Sequence, residues 1–567
     1  MGPRQVVPAA ASAVVALLVL GPALGRGVVL TYDLAWSPDP RLTPFALGTS
    51  TPAPRAVPSD AAAVVLGWVL GAGPAQALVL WGTLVLAGVG AARLAAILAP
   101  DVGLLGRSAA ALAAVWNPFV LERLVVGQWT VLLGYAAVPH LLVTAVRVRR
   151  GLAPPWSPAV GLAACGLGGA NTLVIGSLAV GAVLATPRPR WRALGLATAS
   201  ALGVSAVWAL PAVTAGVESA SVGVAAFAAR ADTPLGVLGS LVSGGGFWNP
   251  ASHPPGRSVA VVALAATALA LACVAVAARA ARREHLEVVL VPALLGLGLA
   301  WLSALDPFGL WSAVVLHLPG GGVLRDAQKL LAPWVVLVAA GAGVLVRDAL
   351  RVRTAGPALA VLVTALPVVL LPTLAWGVGG RVTAVEVPAD LRSVATTLSE
   401  ARPGTVGLLP WSQYRRYGWN GDRVSLTLVP RMVDQRVLLD DGLPLATGRV
   451  PGEDPAARLV GERIAAGVPP VEALAEAGVR WVVIEKDTGL PDADLTGSLP
   501  PGAQVVHDGP SATVVVLDRE DRAPDPQTSR ATLLGWSLTC LTWVVATACL
   551  ALAGVRRRGY GLVGSRP

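Results

Sequence analysis

The sequence predicts a multi-span α-helical membrane protein with a small external α/β domain. Of its 567 residues, 54% are hydrophobic and only 13% are charged, and the mean hydropathy is +0.67. This composition lies outside the range of soluble globular proteins. Many apolar runs have the length of about 20 residues that a helix needs to cross a bilayer, and clusters of arginine separate those runs.

The apolar runs predict about twelve transmembrane segments. Two of them are short and are joined by the sequence GLGGAN, which predicts either a tight hairpin or two half-helices. The predicted segments are 7–25, 75–98, 104–121, 129–146, 156–168, 171–186, 191–212, 258–278, 287–304, 330–346, 356–376 and 530–553. We expect the first run to be a retained anchor rather than a cleaved signal peptide, because many further spans follow it.

The positions of the arginines predict the orientation. Cytoplasmic loops carry an excess of basic residues. With a cytoplasmic N-terminus, every strong basic cluster falls on the cytoplasmic side, namely 147–151, 187–192, 279–285, 347–353 and 556–561. We therefore predict a multi-pass protein of the cell membrane with both termini in the cytoplasm. The net charge of +10 then reflects orientation, and no nucleic-acid partner is predicted.

Three regions are predicted. Residues 1–377 form the polytopic membrane domain, which includes a first external loop at 26–74. Residues 378–528 form an extracytoplasmic α/β domain, and residues 529–567 form the last transmembrane helix with a basic cytoplasmic tail. Within the external domain, apolar stretches predict strands at 405–411, 479–487 and 512–520, and helices in PAARLVGERIAAG and PPVEALAEAG.

The cysteines and histidines give no sign of a metal site. All four cysteines lie in apolar runs, where a thiol behaves as a small hydrophobic side chain. No CxxC, Cys/His cluster or HExxH motif occurs. We predict no cofactor and no bound metal, and the use of a divalent metal ion stays an open alternative without support from the sequence.

The first external loop resembles that of a known protein family. It contains Asp33 in TYDLAW, directly after the first apolar run, and then a short helix that Ser59 and Asp60 would begin. At these residues the chain resembles the membrane-embedded GT-C glycosyltransferases, which include oligosaccharyltransferases, protein mannosyltransferases and bacterial cell-wall arabinofuranosyltransferases. The stretches 115–139 and 318–334 also resemble actinobacterial membrane proteins of this kind.

The resemblance implies a GT-C-like fold and a catalytic base in the first external loop. Asp33 is the implied base, with Asp39 and Asp60 as alternates. A carboxylate in this position would accept the proton of an acceptor hydroxyl while the sugar is transferred. The alternative is that Asp33 is a solvated loop residue or a helix cap.

A second cluster could bind the phosphate of a lipid-linked donor. Arg325 and Lys329 are four residues apart, so they would share a face of a helix that begins near Val323. Backbone amides at the N-terminus of that helix would be left open by Gly320, Gly321 and Gly322. The alternative is an ordinary interfacial helix end, in which Asp326 pairs with one of these cations.

Aromatic and planar polar side chains are candidates for contact with a sugar acceptor. The candidates are Trp36, Trp411, Tyr414, Arg415 and Asn420. The tryptophans could equally belong to the aromatic belt of the membrane, and the stretch 409–426 could equally dock on the membrane helices. Glu122 and Arg123 are interpreted as a structural ion pair at the outer boundary.

The resemblance, together with these candidate residues, implies a glycosyltransferase of the GT-C type. It would take a sugar from a polyprenyl-phosphate donor and modify a cell-envelope glycan or lipid on the outer face. The predicted partners are the lipid bilayer, the donor and the glycan acceptor. The alternative is a non-catalytic membrane protein, either a transporter or flippase of a lipid-linked precursor or a scaffold for envelope assembly, although no internal repeat of the kind found in transporters is evident.

Overall fold

The computed structural model describes residues 2–51, 54, 56–215, 221–318, 320–445, 448–490, 499–517 and 529–563. The end of the predicted external domain, 518–528, lies outside the described residues, and so do the last four residues of the predicted tail.

Apolar helices make up most of the structure. The helices before the external domain are α1 (Pro3–Leu20), α2 (Pro44–Leu47), α3 (Ser59–Leu70), α4 (Ala72–Leu98), α5 (Leu104–Val115), α6 (Pro118–Val125), α7 (Trp129–Arg149), α8 (Ser157–Cys165), α9 (Gly169–Ala185), α10 (Trp191–Thr214), α11 (Ser221–Ala226), α12 (Gly236–Val242), α13 (Ala260–Arg283), α14 (Leu290–Leu305), α15 (Leu310–His317), α16 (Ala332–Ala349), α17 (Gly356–Leu370) and α18 (Ala375–Gly379). They are followed by α19 (Ala389–Ser399), α20 (Pro455–Ala465), α21 (Pro470–Glu476) and α22 (Arg530–Val563).

The predicted multi-span helical fold is confirmed, with a slightly lower number of spans. In the described part of the chain, ten helical stretches are long and apolar enough to cross a membrane, or eleven if the bent pair α17 and α18, with its 66° bend, is one span. The sequence predicts about twelve because it treats α8 and α9 as two segments, whereas by length and composition residues 157–185 form one stretch.

The path of the chain nevertheless folds α8 and α9 back on each other. The helical run is broken at Gly169, which has a φ of +72°. Arg149, at the end of α7, donates hydrogen bonds to the carbonyl oxygens of Val183 (3.1 Å) and Arg188 (3.2 Å). Because only a short loop joins Arg149 to α8, the beginning of α8 and the end of α9 lie at the same end of the bundle, as a hairpin requires.

The basic loops also gather at this end, which we call the basic end. Arg107 donates to the carbonyl oxygen of Arg4 near the N-terminus (3.5 Å). Arg347, at the end of α16, pairs with Asp101 (2.9 Å). Arg150 donates to the carbonyl oxygen of Glu284 (2.6 Å), after α13. That the basic end faces the cytoplasm remains a prediction from the positive-inside rule.

The α/β domain is built on a five-stranded sheet. The strands of the protein are β1 (Val28–Val29), β2 (Ala384–Val385), β3 (Val406–Leu409), β4 (Tyr414–Arg416), β5 (Val424–Leu426), β6 (Val437–Leu438), β7 (Leu443–Leu445), β8 (Gly448–Val450), β9 (Trp481–Glu485), β10 (Gln504–Asp508) and β11 (Ala512–Val516). The order in the sheet is β10-β11-β9-β3-β6, with β3 parallel to both β9 and β6. The three predicted strands are thus present as β3, β9 and β11.

Both faces of the sheet are covered at its central strands β3 and β9, which explains why these two strands are nearly continuous apolar runs. Successive residues of a strand point to opposite faces. Leu409 and Val482 pack with α20 and α21, whereas Leu408 and Val483 belong to the core that continues through α19 into the membrane helices. The sheet is therefore attached to the membrane part through the face that carries Leu408 and Val483.

A buried ion pair supports the loop that follows β3. Arg415 Nε donates to Glu485 Oε2 at 2.8 Å, and both side chains are fully buried. Tyr417 and Thr427 donate their hydroxyls to the same carboxylate, at 2.5 and 3.1 Å. Burial, reinforced by the negative charge of Glu485, raises the pKa of Tyr417. These donors compensate the negative charge of Glu485. Removal of Arg415 should therefore leave a buried, unpaired carboxylate.

We expect Arg415→Met to destabilise the external domain by about 3–5 kcal/mol, the usual cost of removing one partner of a buried pair. The measurement is the thermal unfolding of the full-length protein, with limited proteolysis to locate the opening. Arg416→Met is the matched control, because Arg416 is the exposed next residue of the same strand. Equal effects of the two changes would contradict the assigned role of the pair.

Candidate active site at the junction of the first loop and the external domain

The loop after α1 is hydrogen-bonded to the external domain. β1 pairs with β2 in an antiparallel ladder. Further along, the amide of Tyr32 donates to the carbonyl oxygen of Val424 (2.6 Å), and the amide of Leu426 donates to the carbonyl oxygen of Tyr32 (3.0 Å). These bonds hold Tyr32 in the left-handed region, at a φ of +41°. The residue before Asp33 is thus fixed in a conformation that a tyrosine seldom adopts.

The other side of the same loop is bonded to the membrane part. The amide of Asp33 donates to the carbonyl oxygen of Val126 (3.1 Å), and the hydroxyl of Thr31 donates to the carbonyl oxygen of Val125 (2.7 Å). The close approach requires Gly127, because a Cβ there would lie 2.2 Å from the carbonyl oxygen of Thr31. The turn between α6 and α7 therefore positions Asp33 through its backbone.

The carboxylate of Asp33 accepts hydrogen bonds from both parts of the protein. The hydroxyl of Tyr414, on β4, donates to Oδ1, and Nε2 of Gln128, before α7, donates to Oδ2, both at 3.4 Å. Asp33 itself is exposed, whereas its neighbours Thr31 and Leu34 are buried. Asp33 therefore presents an acid at the surface where the membrane helices meet the external domain.

Arg123 connects this site to the loop before α16. Its side chain is fully buried, and its Nη1 pairs with Oδ2 of Asp326 at 2.6 Å. It also donates to the side-chain oxygens of Gln128 and Gln328. From the sequence, Arg123 is interpreted as the ion-pair partner of Glu122 at the outer boundary. That interpretation does not predict the contacts of Arg123 with the loop before α16. The signal available in the sequence is a charge pair inside the apolar helix α6, since charges within apolar spans are costly and often functional.

Aromatic rings and a second acid complete the surroundings of Arg123. Its guanidinium lies 4.3 Å from the ring centroid of Phe247 and 5.3 Å from that of Phe119, so cation–π contacts supplement its hydrogen bonds. Glu122 is also buried, and it accepts a hydrogen bond from Gln328 (3.4 Å). The two charges of α6 thus both bind the loop before α16.

The prediction of a helix that begins near Val323 is wrong. The chain forms two 3₁₀ turns, Gly321–Leu324 and Ala327–Leu331, which are separated at Arg325 and Asp326. Arg325 and Lys329 consequently do not share a helical face. The cause is local, because a four-residue spacing of cations is compatible with helix but does not specify it, and the glycines before it disfavour helix.

The two cations of this loop have different surroundings. The guanidinium of Arg325 is half-buried and lies 4.6 Å from the ring centroid of Phe227. The ammonium of Lys329 is buried, and it donates to Oδ1 of Asn171 (2.6 Å) and to the carbonyl oxygen of Val323. Lys329 therefore shapes the loop from within, and Arg325 is the cation nearer its surface.

The three glycines that are predicted to leave backbone amides open for a phosphate are part of a turn. Gly320 has a φ of +77°, and its carbonyl oxygen accepts from the amide of Val323. Gly321 is buried, and its amide donates to the carbonyl oxygen of Leu318 (2.8 Å). Gly322 is half-buried beside them. The glycines therefore form a tight turn, not the open N-terminus of an α-helix.

The alternate acids lie in different surroundings from Asp33. Asp60 pairs with Arg431 of the external domain at 2.8 Å. Burial raises the pKa of Asp60, and the opposing effect of Arg431 only reduces this shift. Asp39 is exposed in a turn in which the hydroxyl of Ser37 binds its carbonyl oxygen. Among the residues that the structure describes, no three His, Cys, Asp or Glu side chains are grouped closely enough to hold a metal ion.

Of the predicted acceptor contacts, Tyr414 is the one that reaches Asp33. Trp36 is buried, with its ring edge-on to Trp129 at 5.6 Å. Trp411 packs against the core between the sheet and the helices α20 and α21. Asn420 is buried and donates to the carbonyl oxygen of Leu30 (3.2 Å). These three residues stabilise the junction and the domain, as Arg415 does.

Solved structures of membrane enzymes share this architecture. The arabinofuranosyltransferase AftD from Mycobacteria matches 93% of this chain with a TM-score of 0.57 at 15% identity, and a mutant of the same protein matches 92% with a TM-score of 0.57 at 17% identity. The chain spans about 40% of the length of AftD. The oligosaccharyltransferase AglB from Archaeoglobus fulgidus gives a TM-score of 0.39 at 12% identity, over 85% of this chain and 69% of AglB.

The likeness to AftD shows the fold of the chain. No protein-family model matches the chain, and no curated protein matches it. The expected GT-C-like fold is confirmed by its likeness to AftD.

We expect Gly127→Ala to displace Asp33 and to lower the thermal unfolding temperature, because an alanine there meets both a positive φ and a 2.2 Å contact. The strain alone costs about 1–2 kcal/mol. Gly151→Ala is the matched control, since Gly151 has the same φ of +70° and open space at its Cβ. A larger loss of stability in the control would contradict the assigned close packing.

Proposed function

We propose that this chain is a membrane-embedded glycosyltransferase, which transfers a sugar from a polyprenyl-phosphate donor to a glycan or lipid acceptor of the cell envelope. The observation that carries the proposal is the position of Asp33, whose carboxylate lies between Gln128 of the membrane part and Tyr414 of the external domain. The likeness of the fold to that of an arabinofuranosyltransferase supports this assignment.

In the proposed reaction Asp33 is the general base. It accepts the proton of the acceptor hydroxyl while the oxygen of that hydroxyl forms a bond to the anomeric carbon of the donor sugar. The bond between the anomeric carbon and the phosphate oxygen breaks, and its electron pair leaves with the polyprenyl phosphate. A lipid donor approaches from the bilayer and a polar acceptor from the aqueous side, so the base belongs at the boundary between them.

The leaving phosphate would be bound by Arg325. Its guanidinium is half-buried, and a planar fork of donors suits the oxygens of a phosphate. Lys329 contributes indirectly, because its ammonium holds the carbonyl oxygen of Val323 and so shapes the turn before Arg325. The glycine turn at 320–322 belongs to the same loop.

Arg123 would be a positioning residue for both parts of the site. Through Gln128 it orients a donor to Asp33, and through Asp326 it holds the residue next to Arg325. The same side chain therefore links the proposed base to the proposed phosphate-binding loop. The acceptor would enter beside Tyr414, the aromatic side chain in contact with Asp33. We place this reaction on the outer face of the cell membrane, opposite the basic end.

We expect Asp33→Asn to lower the release of polyprenyl phosphate from a polyprenyl-phosphate sugar by about 10²–10⁴-fold, the usual contribution of a general base. The replacement keeps the size of the side chain and removes the basic oxygen. The assay uses the full-length protein in lipid with a panel of such donors.

Asp39→Asn is the matched control, because Asp39 is an exposed acid of the same loop. The control should keep the activity of the unchanged protein. Equal turnover by Asp33→Asn would move the base elsewhere, to Asp39 if Asp39→Asn has lost activity and otherwise to Asp60 as the next residue to replace. A protein that turns over no donor in a broad panel would overturn the transferase and favour the non-catalytic alternative.

We expect Arg325→Gln to raise the KM for the lipid donor by about tenfold, because one charge-assisted hydrogen bond to phosphate is lost. The kcat should fall less, since the base is unchanged. Arg353→Gln, an exposed arginine at the basic end, is the control for the loss of one positive charge. A kcat loss without a change in KM would show that Arg325 does not hold the donor in its ground state.

A further inference from the structure

A second site lies at the basic end, far from Asp33. An open cleft of about 390 Å³ separates the end of α7 from the beginning of α10. This volume falls in the range of small-molecule sites, roughly 300–1,000 Å³. The cleft is lined by Val148, Arg149, Gly151, Pro155, Pro189, Arg190, Trp191, Arg192 and Ala193. Three of these residues are arginines and none is acidic.

The arginines are held in place by the backbone. Arg149 donates to the carbonyl oxygens of Val183 and Arg188, and Arg190 donates to the carbonyl oxygen of Arg149 (2.7 Å). These bonds keep two guanidinium groups side by side without neutralising either charge. A fixed group of like charges is an arrangement that an anion stabilises.

Another basic cluster at the same end is neutralised within the protein. Arg347 pairs with Asp101 (2.9 Å) and with Asp348 (2.7 Å). Arg351 also pairs with Asp101. Carboxylates thus compensate the arginines that follow α16, whereas the residues lining the cleft supply none. The cleft therefore differs from the cluster after α16 in that no carboxylate lines it beside its arginines.

Apolar side chains border the cleft. Trp191, which begins α10, is 76% exposed, and Leu152, before α8, is 63% exposed. Tryptophan at this depth is typical of the interface between lipid headgroups and acyl chains. An anion with an apolar tail would place its charge on the arginines and its tail along these side chains.

We infer that this cleft binds the phosphate headgroup of an anionic phospholipid from the leaflet at the basic end. Basic pockets between transmembrane helices are suited to such headgroups. Arg149 and Arg190 supply donors that the fold has already ordered, Arg192 supplies a third charge, and Trp191 contacts the acyl region. The site is independent of the proposed transferase reaction.

The test measures lipid binding to the purified full-length protein by native mass spectrometry, with phosphatidylglycerol and phosphatidylcholine titrated separately. We expect one phosphatidylglycerol to bind at least about tenfold more tightly than phosphatidylcholine, because the arginines repel the quaternary ammonium of phosphatidylcholine, whereas phosphatidylglycerol carries a net negative charge. Arg190→Gln/Arg192→Gln should abolish this preference. Arg282→Gln/Arg283→Gln removes two exposed arginines near the end of α13 and should leave it unchanged.

Three results would overturn the inference. An equal loss of preference in both double variants would mean that diffuse positive charge attracts the lipid. Competition by glycerol 3-phosphate at the concentrations at which phosphatidylglycerol binds would assign the cleft to a soluble phosphate. If Arg190→Gln/Arg192→Gln does not fold, Arg192→Gln alone decides, because Arg192 takes no part in the backbone bonds described above. An unchanged preference in that variant would also overturn the lipid site.

Discussion

The backbone bonding of residues 31–34 is the constraint on which the proposed site depends. On one side Tyr32 is paired with the strand β5 of the external domain, and on the other Asp33 is bonded to Val126 in the turn before α7. Backbone polar groups buried at such a junction need partners, and neither part of the protein supplies all of them. Asp33 is therefore positioned only when the external domain is seated on the membrane helices.

Buried charges organise the membrane side of this junction. Arg123 and Glu122 lie inside an apolar helix, where an unpaired charge is costly. Their partners Asp326 and Gln328 come from the loop before α16, and Gln328 also binds the carbonyl oxygen of Gly245 (3.0 Å). A second buried pair, Arg257 with Asp232 (2.6 Å), lies in the loops on either side of α12. The charges therefore determine how the irregular loops pack over the helices.

The sequence predicts the fold well because the fold is specified by local apolar patterns. Runs such as 479–487 are continuous because β9 is covered on both faces, and long apolar stretches identify the helices. The pair α8 and α9 is the exception, since a run broken by Gly169 can be counted as one span or as two. Composition alone does not decide between one span and two, whereas the contacts of Arg149 with Val183, in the last turn of α9, and with Arg188, after it, do.

The site was less predictable, because its members are distant in the chain. Tyr414 and Gln128 lie 381 and 95 residues from Asp33, and only the fold brings them together. Arg415 shows the same limit, since its partner Glu485 is 70 residues away, and nothing near Arg415 indicates burial. Arg325 and Lys329 have helical spacing, but the fold uses one cation inside the loop and the other near its surface.

The hydrogen bonds of Asp33 also link the proposed base directly to the external domain. Asp33 accepts hydrogen bonds from Gln128 of the membrane part and from Tyr414 of the external domain, and both bonds are long at 3.4 Å. Hydrogen bonds of a catalytic group are often long before substrate binds and shorten in the complex. A shift of β4 on binding an acceptor would move the hydroxyl of Tyr414 relative to the carboxylate, while Gln128 stays held by Arg123. In the proposed reaction, the domain that contacts the acceptor would therefore alter the surroundings of the proposed base, while the membrane part would stay fixed.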